Sequence, residues 1–263
     1  MTKKNYSIFF GIIFVIAIVG ILNYLLCNKN LSVNDSKVLE LYSYLGNDSI
    51  TICDGSIFYS ENVSNYSNAE ESLLICNAYL YSDREGEVLE LDTVDGVCSI
   101  DDMKIAPMSD IDACQVTKYE VGDIEQAYLE LYGNELTDYE PFVINTSMKC
   151  SYNEKNLSYY CYYPAYEVLV SSDSSKIYRL IKNVIEETDG TILIRDYFIY
   201  VKSETCYTDL DAKNKNDNCT IQFNKKSDLV IDTSFMKNYG TLYEHTFEYN
   251  DGNYYWINSE KIS

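Results

Sequence analysis

His245 is the only histidine in the chain, and it lies in a strand-like run, Tyr243–Tyr249, with Glu244 and Glu248 close by. A Ser–His–acid site would have to use it, since imidazole is the base that takes the hydroxyl proton. No nucleophile-elbow sequence accompanies it, so it reads as an ordinary strand histidine. One histidine also excludes zinc sites built on two or three imidazoles. Acids are plentiful, 41 in all, so no pair can be chosen for glycoside hydrolysis without a separation in space. Two loops crowd them: Asp92, Asp95, Asp101 and Asp102 in one, and Asp209, Asp211 and Asp217 in the other. Counted as an EF-hand from Asp209, the places that demand Gly and Glu hold Asn214 and Thr220, so the calcium pattern fails. No catalytic residue, metal or cofactor is expected.

Tyrosine is the unusual residue type, with 27 copies. Tyr159, Tyr160, Tyr162, Tyr163 and Tyr166 cluster in sequence. Strand alternation sends Tyr160 and Tyr162 to one face and Tyr159, Cys161 and Tyr163 to the other. One face must pack, and the other can offer rings to a sugar or a protein surface. With Trp256 these are the candidate ligand-binding residues. The competing reading is strand propensity, since tyrosine favours strands.

The elements that would hold such a surface begin with a membrane span. Ile8–Leu26 carries no charge and as a helix would be about 28 Å long, close to the hydrocarbon thickness of a bilayer. It is longer than a signal-peptide core, and no A-x-A-like site follows it. An uncleaved anchor over 7–27 is expected. Lys3 and Lys4 precede it and place the short tail, 1–6, in the cytoplasm. The rest then faces outward: a tether over 28–35, a helical, loop-rich part over 36–122 and a sheet-rich part over 123–263. The formal net charge of −21 excludes nucleic acid as a partner.

Of nine cysteines, Cys27 ends the anchor. The other eight, Cys53, Cys76, Cys98, Cys114, Cys150, Cys161, Cys206 and Cys219, form an even set without C-x-x-C, which fits disulfides in an oxidising compartment. Pairing in sequence order is the simplest arrangement. Cys150–Cys161 is the best pair, because a hairpin centred on Lys155-Asn156 sets the two opposite each other.

Helical spacing predicts helices over Ser36–Leu45, Ala69–Tyr81 with Asn68 as cap, and Ile124–Tyr132 capped by Asp123 and stopped by Gly133. Short strands are expected at Glu87–Leu91, Cys114–Tyr119 and Tyr166–Val170. Long hairpins are expected at Ile177–Lys202 about Asp189-Gly190 and at Tyr243–Ile262 about Asp251-Gly252. Thr220–Phe223 and Asp228–Ile231 read as weak strands. The fold class is therefore α+β: an N-terminal transmembrane helix, about three short helices, then a curved, disulfide-stapled antiparallel sheet.

The tail YEHTFEYNDGNYYWINSE is similar to the last hairpin of nuclear-transport-factor-2-like (cystatin-like) domains. The anchor plus outer domain also resembles uncharacterised membrane-anchored proteins of AT-rich Gram-positive bacteria. That family holds enzymes and binding modules alike, so the resemblance implies a fold and not an activity. The function expected is a membrane-anchored, extracytoplasmic binding module for an envelope protein or cell-wall glycan. The alternative is a hydrolase with a pocket in the sheet.

Overall fold

Two Asp-Gly pairs turn the chain back on itself and set the larger sheet. At Asp251-Gly252 both residues have positive φ, 49° and 94°, as a two-residue hairpin requires. The computed structural model describes residues 28–46, 53, 56–62, 64–82, 84–92, 97–100, 103–105, 113–145, 148–163, 175–225 and 231–263. The expected anchor at 7–27, Cys27, Asp95, Asp101, Asp102, Tyr166 and the strand at 166–170 lie outside these residues. Among those described, no helix is long and apolar enough to cross a membrane.

In chain order the elements are β1 (Lys29–Leu31), α1 (Ser36–Tyr44), β2 (Ser64–Asn65), α2 (Glu71–Tyr81), β3 (Glu87–Asp92), β4 (Cys98–Ile100) and β5 (Met103–Ile105). Then come β6 (Ala113–Glu120), α3 (Val121–Tyr132), β7 (Phe142–Ile144), β8 (Met148–Asn153), β9 (Ser158–Tyr162), β10 (Ser175–Glu186) and β11 (Ile192–Lys202). The chain closes with β12 (Thr205–Tyr207), α4 (Asp217–Lys225), α5 (Thr233–Tyr239), β13 (Thr241–Asn250) and β14 (Asn253–Lys261). The larger sheet runs β1-β10-β11-β13-β14-β2, with β12 also on β11; the second runs β3-β6-β9-β8-β7; β4 and β5 form a small hairpin. All described pairings are antiparallel. The class is α+β.

Burial follows the two-residue period of the strands. On β11, Ile192, Ile194, Asp196, Phe198 and Tyr200 point into the main core, which also takes Val38, Leu41, Leu74, Ile124, Leu131 and Trp256. Ile199 and Val201 point the other way, where Phe235 and Met236 of α5 cover them. The cysteines pair in sequence order: Cys53–Cys76, Cys98–Cys114, Cys150–Cys161 and Cys206–Cys219. Cys150 stands directly opposite Cys161 in the β8–β9 register.

Five helices are described where three were expected, and several local readings change. Thr220–Phe223 is helical because Asn216 caps it, its side chain accepting from the Cys219 N–H at 3.1 Å. The chain re-enters a helix at Thr233, where Asp232 accepts from the Phe235 N–H at 2.8 Å. Asn68 does not cap α2. Its carboxamide accepts from the Asn65 N–H and closes a turn, so the helix starts at Glu71. Asp123 sits within the first turn of α3, since β6 runs straight into the helix at Val121. Gly133 ends α3 in the left-handed region, as expected. Lys29–Leu31, within the stretch read as a tether, pairs with Val184–Glu186 of β10.

Candidate functional site

A β-bulge assembles the first candidate. On β14, Trp256 pairs with Phe247 and Asn258 with Thr246, so Ile257 is the extra residue. That shift of parity turns both Trp256 and Ser259 inward. Ser259 then faces His245 directly across the pair, and Asp196 lies one strand further over on the same inward row. His245 Nδ1 is 2.7 Å from Ser259 Oγ, and Nε2 is 3.2 Å from Asp196 Oδ1. The other Asp196 oxygen accepts from the hydroxyls of Tyr42 at 2.6 Å and Tyr59 at 2.8 Å.

One proton arrangement satisfies every member. A carboxylate only accepts, so Nε2 carries the imidazole proton toward Asp196. Nδ1 accepts from the Ser259 hydroxyl, and Ser259 Oγ accepts from the Trp256 indole N–H at 2.9 Å. Burial, and then the Asp196 charge, pushes the Tyr59 hydroxyl well above its usual range. Burial also raises Tyr42, with Tyr59 and Asp196 adding to it. Arg179 supplies the compensating cation. Burial alone would lower it, but Tyr59, Tyr42 and Asp196 outweigh that and raise it. Its guanidinium lies 4.7 Å from the Tyr42 ring centre and donates to the carbonyls of Leu45 and Gly46.

The order Ser–His–Asp is that of a hydrolytic relay, but the two imidazole nitrogens are exchanged relative to the usual triad, and Ser259, His245 and Asp196 are only 0–2 % exposed. One of the two lone pairs on Ser259 Oγ already accepts the indole N–H. In this state the cluster is a satisfied polar core that locks three strands in register.

The second candidate is open to solvent. A groove of about 700 Å³ runs between α1, the end of α2, α3 and the β13–β14 turn. Tyr44, Tyr81, Tyr254 and Tyr255 give it aromatic surface, and Lys37, Glu40, Gln126, Glu130 and Asn253 give it polar groups. Tyr44 and Tyr81 meet edge to face, with ring centres 5.1 Å apart. Burial raises both hydroxyls, and the charges of Glu40 and Glu130 raise both further. The two carboxylates thus act on the same pair of rings. At the rim, Lys37 Nζ lies 4.0 Å from the Tyr254 ring centre, bonds its hydroxyl and meets Glu186 at 3.4 Å. Tyr249, 48 % exposed, packs at a tilt against Tyr254, with ring centres 4.9 Å apart, and carries the aromatic surface outward.

The expected tyrosine strip is not an exposed face. Tyr159 and Tyr160 are buried, because β9 is central in its sheet and both its faces are covered. Tyr159 packs on Phe142 and Tyr152. Tyr160 belongs to the small core around Cys98 and Cys114. Trp256 is fully buried against Phe58 and Tyr132. Tyr162 is half-buried, and of the set only Tyr163 is described as exposed. Asp209 is buried and spends both oxygens on the backbone of Lys213 and Asn214, while Asp211 pairs with Lys213. Among the described residues no group of acids, histidine and cysteine is placed to hold a metal.

The residues that do converge were partly legible. Asp196 interrupts ILIRDYFIYV on the row of Ile194 and Phe198, and an acid in a core row needs partners. Tyr44, Tyr81 and Tyr254 come to one groove from α1, α2 and β14, and nothing in the sequence signals it. No family model, curated protein or solved structure matches the chain.

Proposed function

We propose that the protein is a membrane-anchored, extracytoplasmic binding module that takes part of an envelope protein or a cell-wall glycan into the groove between α1, α3 and the last hairpin. The observation that carries this reading is the groove itself: solvent-open, walled by four tyrosines and rimmed by groups that can hydrogen-bond a ligand. Four bridges support the oxidising compartment. The segment 7–27 supplies the anchor in this reading. The similarity to nuclear-transport-factor-2-like domains is part of the same proposal, supported by the long antiparallel strands β10, β11, β13 and β14.

The test is retention of wall and envelope material by the full chain in detergent, against Gln126→Trp. Gln126 is exposed on α3 and lines the groove, so the bulky ring fills it without touching the core. Binding by the parent and loss in the variant is the expected result. Equal retention by both would overturn the groove as the binding site. A hydrolase is the second reading, favoured only by the Ser259–His245–Asp196 connections. It requires Ser259 to become accessible, and labelling of Ser259 by a fluorophosphonate would establish that.

A further inference from the structure

We propose that the groove's ligand presents an ammonium group, seated over the Tyr44–Tyr81 pair between Glu40 and Glu130; this rests on the groove being the binding site. The chain already shows how it holds its own cations. Lys37 sits over Tyr254 beside Glu186, Arg179 over Tyr42 near Asp196, and Arg84 lies 3.5 Å from the centre of the Tyr79 ring. In each case a tyrosine ring offers its electron-rich face, and in the first two a carboxylate completes the neutralisation.

The groove repeats these parts without the cation. Tyr44 and Tyr81 supply the aromatic pair: Tyr44 is buried against Phe247 with its edge on the groove floor, and Tyr81 is the half-buried ring beside it. Glu40 and Glu130 supply two carboxylates, both exposed and both lining the same groove as the rings. Among the described residues neither carboxylate meets a lysine or arginine; Glu130 receives only the Gln126 amide at 2.7 Å. The one lysine of the groove, Lys37, is turned to Tyr254 and Glu186. An anion would face two uncompensated carboxylates, and a neutral sugar would leave them unused. A cation uses rings and charges together, and the net charge of −21 raises its local concentration. The ammonium can come from a free amine or from a lysine-type side chain in a peptide.

The test is isothermal titration of the full chain in detergent at low ionic strength. Four probes are used: n-butylammonium, Nα-acetyl-lysine methylamide, N-acetylglucosamine and acetate. Both ammonium probes should bind. Tighter binding of the lysine compound would assign a peptide source, and equal binding a free amine. The double variant Glu40→Gln/Glu130→Gln should weaken both by roughly fivefold, the effect of two exposed charge pairs. Added salt should weaken the parent more than the variant. Both glutamates are exposed, so an unchanged circular dichroism spectrum is expected. Binding of the sugar in preference, lost in Gln126→Trp, would overturn the ammonium assignment and keep the groove. Binding of the ammonium probes unaffected by the double variant would overturn it too. Retention of wall material that Gln126→Trp leaves intact would remove both readings.

Discussion

At the scale of single residues, the fold turns on a carboxylate in an apolar row. Asp196 takes three hydrogen bonds, from Tyr42, Tyr59 and His245, and each donor is at least half-buried. Asp196→Ala strands all three and removes a charge that acts on Arg179. It should lower unfolding stability by about 3–5 kcal/mol, read from urea denaturation. Ser259→Ala removes a neutral partner and should cost about 1–3 kcal/mol. A second residue-scale effect lies at Glu61. Burial opposes its charge, but Lys261 at 2.7 Å and Thr208 outweigh that and hold its carboxyl below the ordinary value of 4.5. A depressed folded pKa stabilises above the unfolded value and loses that contribution as pH falls through the folded one. Glu61→Gln should therefore flatten the acid limb of stability below pH 4.5, measured by thermal melts across that range. At this scale Asp196 went unread in the sequence although it stands on the apolar row of Ile194 and Phe198, and its partners gave no signal, because Tyr42 and Tyr59 arrive from α1 and from a loop far off in the chain.

At the scale of elements, turn chemistry was legible and helix starts were not. The Asp-Gly hairpins and the Cys150–Cys161 pair follow from local rules that few contacts can override. The weak strand read at Thr220–Phe223 rested on four residues, too few to separate the two periods, and the Asn216 cap with the Cys206–Cys219 bridge decided for helix. The end of α3 is a further test. Gly133 has φ 71°, and an added Cβ would stand 2.9 Å from the Tyr255 ring. Gly133→Ala should destabilise by more than about 1 kcal/mol and displace Tyr255 from the groove wall. Ligand retention should fall with it, whereas Gly122→Ala, with open space around its Cβ position, should leave retention unchanged.

At the scale of the whole molecule, Tyr159, Tyr160 and Tyr162 of the expected strip do share one strand, β9, but the first two are packed inside, and other buried tyrosines reach the core from α1, α2 and α3. Sequence alternation identifies faces but not which sheet covers them, so β9 could not be recognised as buried on both sides. Burial of these rings has a titration signature. Tyr59 and Tyr132 are fully buried and burial holds both hydroxyls well above 10.0. A raised folded pKa means the stability is intact below pH 10 and declines as the unfolded chain begins to release tyrosine protons. Tyrosinate absorbance should rise in two parts on going alkaline, the second coincident with loss of circular dichroism. A single rise ahead of unfolding would contradict the burial. Alkylation of the denatured, unreduced chain should label at most one thiol, Cys27, since the other eight are bridged.

The four bridges span intervals that never overlap, with sequence separations of 23, 16, 11 and 13. A chain emerging amino end first therefore meets each thiol's true mate before the next pair begins to appear. Oxidative refolding of the reduced chain should therefore recover the four native links without a reshuffling catalyst, with Cys27 the one thiol outside the pattern.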